Sequence, residues 1–293
     1  MINYPELDRV LFTILNEDVG TGDITTNACV PEDAVSKGNF IAKEPGIISG
    51  LNVAKRVFEL LDGSVYMTPL ISDGDRVNTG DIIATISGPS RAILTGERTA
   101  LNILQRMSGI ATKTAEAVNE IEGTGAKILD TRKTTPGLRA LDKYAVRCGG
   151  GTNHRFNLAD GVLIKDNHIK AAGGITNAVE QVRQAQQEKQ VKIKVSNDSL
   201  SSPPIILIEV ETETLAQVEE AINTGADIIM LDNMQPEMMA EAVKLINGRA
   251  RTEASGNMGE RDIKVIAETG VDYISIGALT HSVRAMDISL RFE

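Results

Sequence analysis

Polar residues fall at the ends of a series of short apolar runs, and their types change along the chain. The run Ala126-Lys127-Ile128-Leu129 leads into Asp130-Thr131-Arg132-Lys133-Thr134-Thr135-Pro136-Gly137, and Gly161-Val162-Leu163-Ile164 leads into Lys165-Asp166-Asn167-His168. Later runs give Glu209 and Glu211, then Asp232-Asn233, then Ser255-Gly256-Asn257, then Gly277-Ala278. Cations come early, carboxylates in the middle, small residues last. Arg132, Arg155 and Lys165, with His154, suit a ligand bearing more than one carboxylate, because a guanidinium grips a carboxylate through two parallel hydrogen bonds. Glu211 and Asp232 suit the hydroxyls of a sugar, directly or through Mg²⁺, which prefers carboxylate and phosphate oxygens. Ser255-Gly256-Asn257 and Gly277 suit a phosphate held by loop amides and a helix N-terminus. The ligands implied are a small polycarboxylate and a phosphorylated sugar.

Other chemistry is less well supported. His154, His168 and His281 show no H-E-x-x-H spacing, and Cys29 and Cys148 are far apart, so a dedicated zinc site is not expected. Gly149-Gly150-Gly151 precedes Thr152-Asn153-His154-Arg155 but lacks the Lys and Ser/Thr of a P-loop. Lys165 beside Arg132 and Arg155 would also suit a Schiff-base lysine in an aldolase-like barrel. Gly74 to Ile83 resembles the hammerhead strands of biotinyl or lipoyl carriers, without a Lys-bearing hairpin beside it.

These residues need a scaffold. Leu7, Val10, Leu11, Ile14 and Leu15 trace one apolar stripe of a helix. Residues 35–90 carry short β-prone runs broken by Gly, Asp and Pro, which predict a small, largely antiparallel sheet. A helix is predicted over 96–119, with Gly109 as an interruption. Beyond residue 125 seven apolar runs follow, one of them Val191-Lys192-Ile193-Lys194-Val195, and helical patterns lie at 174–187, 214–223, 236–247 and 260–269. Alternating strand and helix implies a parallel sheet, whose active site lies at the carboxyl ends of its strands. No G-x-G-x-x-G links a strand to a helix, which favours a barrel over a dinucleotide fold.

Composition excludes several partners. The 293 residues hold 40 acidic and 30 basic side chains, a net charge of -10, with five Phe, four Tyr and no Trp. Nucleic acid and anionic membranes call for a basic excess, and single strands call for aromatic platforms. No apolar run reaches the roughly 18 residues that span a bilayer, and no signal peptide is apparent, so a cytoplasmic setting is expected. Residues 127–170 run against the overall charge, with nine Lys and Arg against four Asp.

Taken in order, nine segments resemble the quinolinate phosphoribosyltransferase family over nearly the whole chain. They are Glu17 to Thr25, Gly96 to Asn102, Asp130 to Arg139, Gly149 to Arg155, Leu163 to His168, Glu209 to Glu211, Leu231 to Asn233, Glu253 to Gly256 and Gly277 to His281. The resemblance implies an N-terminal α/β sandwich over 1–107 and a C-terminal incomplete, about seven-stranded α/β barrel over 108–280, with 281–293 packing back on the first domain. It implies transfer of phosphoribosyl from phosphoribosyl pyrophosphate to quinolinate, with Mg²⁺ and with decarboxylation, in the formation of NAD. By the same resemblance quinolinate contacts Arg98, Arg132, His154, Arg155 and Lys165, with Arg98 supplied by the neighbouring subunit of a homodimer or a multiple of dimers. Lys133, Glu211 and Asp232 hold phosphoribosyl pyrophosphate and its Mg²⁺. Ser255, Gly256, Asn257 and Gly277 hold the 5′-phosphate, and Thr131, Ile276 and Ala278 complete the substrate site. Lys133, Lys165, Glu211 and Asp232 are the catalytic candidates. Asn257 stands where many members have Gly, and the polar segment 189–204 is longer than the family pattern. Related molybdenum-transport-associated and nicotinate phosphoribosyltransferases are the alternative readings.

Overall fold

The structure is a computed structural model that describes residues 4–195 and 206–293. In chain order the elements are α1 (Tyr4–Val19), α2 (Ile24–Cys29), β1 (Val35–Ala42), β2 (Gly46–Ile47), α3 (Leu51–Leu61), β3 (Tyr66–Pro69), β4 (Arg76–Val77), β5 (Ile82–Pro89) and α4 (Ser90–Glu120). They continue with β6 (Lys127–Leu129), α5 (Arg139–Cys148), β7 (Val162–Ile164), α6 (Asp166–Ala172), α7 (Ile175–Val195), β8 (Ile208–Thr212), α8 (Leu215–Asn223), β9 (Ile228–Asp232) and α9 (Pro236–Ile246). The last are β10 (Arg251–Ser255), α10 (Ile263–Glu268), β11 (Tyr273–Ser275), α11 (Ala278–His281) and β12 (Ile288–Phe292). The chain divides into two compact units, one of residues 1–119, 133–153 and 278–293, the other of 120–132 and 154–277.

The first unit is built on an antiparallel sheet in the order β12-β1-β5-β3. Its outermost strand comes from the C-terminus, with Phe40 opposite Leu290. The stripe on α1 buries Leu7, Leu11 and Leu15. Helix α3 buries Leu51, Val53, Ala54, Val57 and Phe58, and its first amides, Gly50 N and Leu51 N, both donate to Asp73 Oδ1 at 3.0 Å. That carboxylate satisfies donors that a helix start leaves open. Helix α4 is continuous through Gly109, contrary to the interruption expected there. Glycine is present because a Cβ would run into the carbonyl oxygen of Arg284.

The second unit is a six-stranded sheet in the order β6-β11-β10-β9-β8-β7, every pair parallel. One face is apolar: Val210, Ile229, Leu231, Ala254 and Ile274 are fully buried. Helices α8, α9 and α10 bury Val218, Ala221, Met239, Ala242, Ile263 and Ile266. Thr214 caps α8 through the Gln217 amide, Pro236 opens α9, and Asp262 caps α10. The incomplete barrel expected from the sequence is present, with six strands rather than seven among the described residues. The run 191–195, read as a strand, is the end of α7. Its alternation fits a strand, but it continues a Gln-, Glu- and Lys-rich helical stretch without a breaker. Of the polar segment 189–204, residues 196–204 lie outside the described residues. Among the described residues no helix is long and apolar enough to cross a membrane.

Alanine is the better helix former by about 1 kcal/mol. Gly109→Ala is nevertheless expected to destabilise the chain by roughly 1–3 kcal/mol, because backbone must move to admit the methyl group. Urea denaturation of the two proteins measures the difference.

Candidate active site

Strand register sorts the polar residues onto one face. Leu163 pairs with Glu209, so Lys165 continues toward Glu211. Glu211 pairs with Met230, and Asp232 lies two residues further along the same strand, opposite Ser255. Alternate residues of a strand share a face. Lys165, Glu211, Asp232 and Ser255 therefore stand on the face opposite the buried apolar one, at the carboxyl ends of their strands. Gly277 follows Ser275 of β11 by two residues. Lys165 Nζ lies 3.3 Å from Glu211 Oε2, and Asp232 Oδ2 accepts from Asn233 Nδ2 at 2.7 Å.

His154 is held on every side. Its backbone N–H donates to the buried Asp130 carboxylate at 2.8 Å. Its Nδ1 accepts the Arg155 N–H at 2.7 Å, and its Nε2 lies 3.1 Å from Glu209 Oε2 and 3.5 Å from Glu253 Oε2. Arg155 Nη1 donates to the Gly161 carbonyl at 2.9 Å. Burial pushes the Arg155 guanidinium below its usual range, and so does repulsion from Arg132, while Glu209 acts the other way. Arg132 and Arg155 are thus near enough to oppose each other. The sequence reading passed over Glu209, Glu253 and Asp130 as site residues. A carboxylate two residues before Glu211, and another two before Ser255, were the available signals.

The small-residue loop has special backbone. Gly256 has φ +94°, Asn233 +56° and Asn257 +53°. A Cβ on Gly256 would collide with Asn233 Oδ1, and the Asn233 N–H donates to the Ser255 carbonyl at 3.0 Å. Asn257 takes a left-handed conformation, which Asn tolerates better than most residues. Ile276 is buried, and its N–H donates to the Leu129 carbonyl. Thr131 is half-buried.

Arg98, Lys133 and Ala278 belong to the first unit. Arg98 is exposed on α4, Lys133 is exposed, and Ala278 opens α11. The Lys133 carbonyl accepts from Thr280 Oγ1 at 2.8 Å, and the Thr280 carbonyl accepts from Arg106 Nη2 at 3.1 Å. Arg106 also makes a bidentate pair with Asp142, at 3.0 and 2.9 Å, and Asp142 Oδ2 accepts the Thr135 N–H at 3.2 Å. Asp142 is fully buried. One ion pair therefore fixes the backbone on both sides of Thr134. The sequence signal was a charged Arg106 among the apolar positions of α4.

Comparison with known proteins gives a consistent picture. The family model for the C-terminal domain of quinolinate phosphoribosyl transferase matches residues 110–291, and that for the N-terminal domain matches 23–108. The chain is 45% identical over 289 residues to the probable carboxylating nicotinate-nucleotide pyrophosphorylase of Bacillus subtilis (strain 168), covering 99% of this chain and 94% of that protein. It is 44% identical over 304 residues to the decarboxylating quinolinate phosphoribosyltransferase 1b of Nicotiana tabacum, covering 98% and 83%. The structure of NadC from Streptococcus pyogenes superposes with a TM-score of 0.88 at 42% identity, covering 100% and 99%. Human nicotinic acid phosphoribosyltransferase shares the fold, with a TM-score of 0.56 at 11% identity over 100% of this chain and 74% of that one.

Asp142→Asn is expected to cost about 3 kcal/mol, the low end for breaking a buried pair, since Arg106 keeps some contact with water. Replacing both partners with apolar residues, Asp142→Leu with Arg106→Met, is expected to cost less than Asp142→Asn alone. A chemical-denaturation cycle measures both.

Proposed function

The chain belongs to the quinolinate phosphoribosyltransferase family, and from that premise we propose that its strand-end site transfers phosphoribosyl from phosphoribosyl pyrophosphate to quinolinate. The products are nicotinate mononucleotide, CO₂ and pyrophosphate. The observation that carries this reading is the gathering of Lys165, Glu211, Asp232 and Ser255 at the carboxyl ends of adjoining strands on one face, with Arg155 near Arg132. Two guanidinium groups held close together are stabilised by a ligand with two negative charges more than by one with a single charge. That favours quinolinate, a dicarboxylate, over nicotinate.

Arg132 and Arg155 grip the two carboxylates, with Arg98 from a neighbouring subunit and Lys165 alongside. His154 is expected to stand against the same ligand, and its clamp on the Arg155 N–H fixes where that residue begins. Lys165 works as a charge: its ammonium against Glu211 favours an electrostatic role over a Schiff-base one. Glu211 and Asp232 offer hard oxygen donors from one face of adjacent strands, a donor set that fits magnesium and ribose hydroxyls. Bound there, Mg²⁺ supplies charge neutralisation for the departing pyrophosphate. Lys133 adds a second positive charge to that leaving group. Ser255, Gly256, Asn257 and Gly277 hold the 5′-phosphate, with Thr131, Ile276 and Ala278 completing the walls. The positive φ of Gly256 and Asn257 supports an anion-binding turn of amides.

The ring nitrogen attacks the anomeric carbon, the N–C1′ bond forms, and the C1′–O bond breaks with its electron pair leaving on pyrophosphate. The nitrogen is then quaternary. Cleavage of the adjacent C2–carboxylate bond releases CO₂ and leaves the pair on C2, where the pyridinium stabilises it until a proton is taken up. Orientation and fixed charge do the work, and no side chain needs to carry a proton through the first step. We place the reaction in the cytoplasm, in a homodimer or a multiple of dimers, which the exposed Arg98 and the free Cys29 and Cys148 support.

Purified protein supplied with phosphoribosyl pyrophosphate, Mg²⁺ and quinolinate is expected to form nicotinate mononucleotide with one CO₂ per turnover, and to leave nicotinate unreacted. Turnover of nicotinate in place of quinolinate would overturn the reading. Arg132→Ala is expected to raise the KM for quinolinate by about 10–100-fold, the scale of a lost charge-assisted pair. Near-normal turnover at low quinolinate would remove Arg132 from the site.

A further inference from the structure

In the proposed reaction Lys133 meets the departing pyrophosphate, and its reach depends on the backbone that carries it. Lys133 lies between β6 and α5, outside any helix or strand, so that backbone has to be held by other groups. Three side chains anchor the stretch. Thr280 Oγ1 donates to the Lys133 carbonyl at 2.8 Å. Arg139 Nε donates to Thr134 Oγ1 at 3.0 Å. Asp142 Oδ2 accepts the Thr135 N–H at 3.2 Å. All of these residues belong to the first unit. Lys133 itself is exposed, so its ammonium rides on a stretch fixed at three successive residues.

Thr280 is the anchor bonded to Lys133 itself. It is fully buried in the short helix α11. A threonine in a helix commonly turns its hydroxyl back onto the carbonyl three or four residues earlier. Here the hydroxyl donates to a residue 147 positions away in sequence. The Thr280 carbonyl accepts from Arg106 Nη2 at 3.1 Å, and Arg106 is clamped in turn by the buried Asp142. The donor is thus held from behind. Asp142 also receives the Thr135 N–H, so one ion pair backs the anchors at both ends of the stretch. Ala278, a wall of the proposed substrate site, opens the same helix as Thr280.

We propose that Thr280 is a positioning residue for phosphoribosyl pyrophosphate. Its hydroxyl fixes the Lys133 carbonyl, and through it the place from which the Lys133 ammonium meets the leaving pyrophosphate. This rests on Lys133 being a ligand of that group. No bond or proton changes hands at Thr280. Valine in its place has nearly the same shape and cannot donate, so the Lys133 carbonyl loses a partner and the stretch relaxes. A charge aimed in advance at the leaving group is worth most when it need not reorganise during the reaction. A displacement of about 1 Å is enough to lose much of that worth. Quinolinate is gripped by other residues, so its binding is unaffected.

Thr280→Val is expected to lower kcat/KM for phosphoribosyl pyrophosphate about tenfold, the scale of one misplaced charge-assisted hydrogen bond. Its Kd for quinolinate, titrated without phosphoribosyl pyrophosphate, is expected to match that of the wild type. Thr280→Ser keeps the hydroxyl and is expected to restore kcat/KM to within about twofold of the wild type. Titration with inorganic pyrophosphate and Mg²⁺ gives a readout apart from turnover. T280V is expected to bind pyrophosphate about tenfold more weakly than the wild type. In a Lys133→Met background the same substitution is expected to make no further difference, since it acts through Lys133. Should T280V not fold, Thr280→Ala removes the hydroxyl without adding bulk and carries the same measurements. A wild-type kcat/KM for T280V, unchanged pyrophosphate affinity, an equal loss in T280S, or weakened quinolinate binding would each overturn the proposal. So would the same loss of pyrophosphate affinity in the Lys133→Met protein, which would show that Thr280 acts on another group. A lowered melting temperature with kinetics and affinities unchanged would reduce Thr280 to a packing role and overturn its positioning one. Failure of the wild type to turn over quinolinate would count against the substrate reading, while the pyrophosphate titrations would still report the coupling of Thr280 to Lys133.

Discussion

His154 joins groups that a flat sheet would keep apart. Its backbone N–H is bonded to Asp130, just past β6, and its ring lies against Glu209 on β8 and Glu253 on β10. In the hydrogen-bonded order β6 and β8 are four strands apart. At about 4.8 Å per strand that is roughly 19 Å in a flat sheet. One histidine spans only a fraction of this, so the sheet has to curl until its polar face becomes a concave interior. The coupling of Arg132, which follows β6, with Arg155, which precedes β7, requires the same curl, because β6 and β7 are the two ends of the order.

Curling decides the charge layout. Arg132 follows β6, Arg155 precedes β7 and Lys165 follows it, so these cations lie at the two ends of the strand order. Glu211 and Asp232 occupy β8 and β9, and the small-residue loop follows β10. Carboxylates below the cations temper the concave interior. Glu209 supports the charge on Arg155.

Much of this layout was legible in the sequence because strand ends in a parallel barrel are punctuated by polar residues. Lys165, Glu211, Asp232 and Ser255 sit where alternation put them. What escaped detection depends on partners distant in sequence. Arg106 and Asp142 are separated by 36 residues and look like ordinary helix polar residues until their bidentate contact is seen. Glu253 reads as one polar residue in a short strand, and only the sheet's curvature brings it to His154. Helix α3 was hidden because Leu51 to Leu61 lies between β-prone runs, and helix α5 because its polar residues mask a buried face of Leu141, Ala145 and Val146. The run 191–195 shows the opposite error, where a local period of two lost to helix propagation.

The end of β10 shows how backbone and side chain constrain each other. Asn233, after β9, turns its N–H into the Ser255 carbonyl and its side-chain amide toward Asp232. Its Oδ1 then occupies the space a Cβ on residue 256 would need, so residue 256 has to be glycine on contact grounds as well as for its positive φ. Residue 257 is next, also left-handed, and nothing in that geometry demands a missing Cβ. Asn is admitted at 257 where it would be refused at 256. Two adjacent positions, both at positive φ, thus differ in what they tolerate, and the contact difference is set by Asn233, the residue that also orients the Asp232 carboxylate. The loop proposed to hold phosphate and the carboxylate proposed to hold ribose and Mg²⁺ are in this way fixed by one side chain.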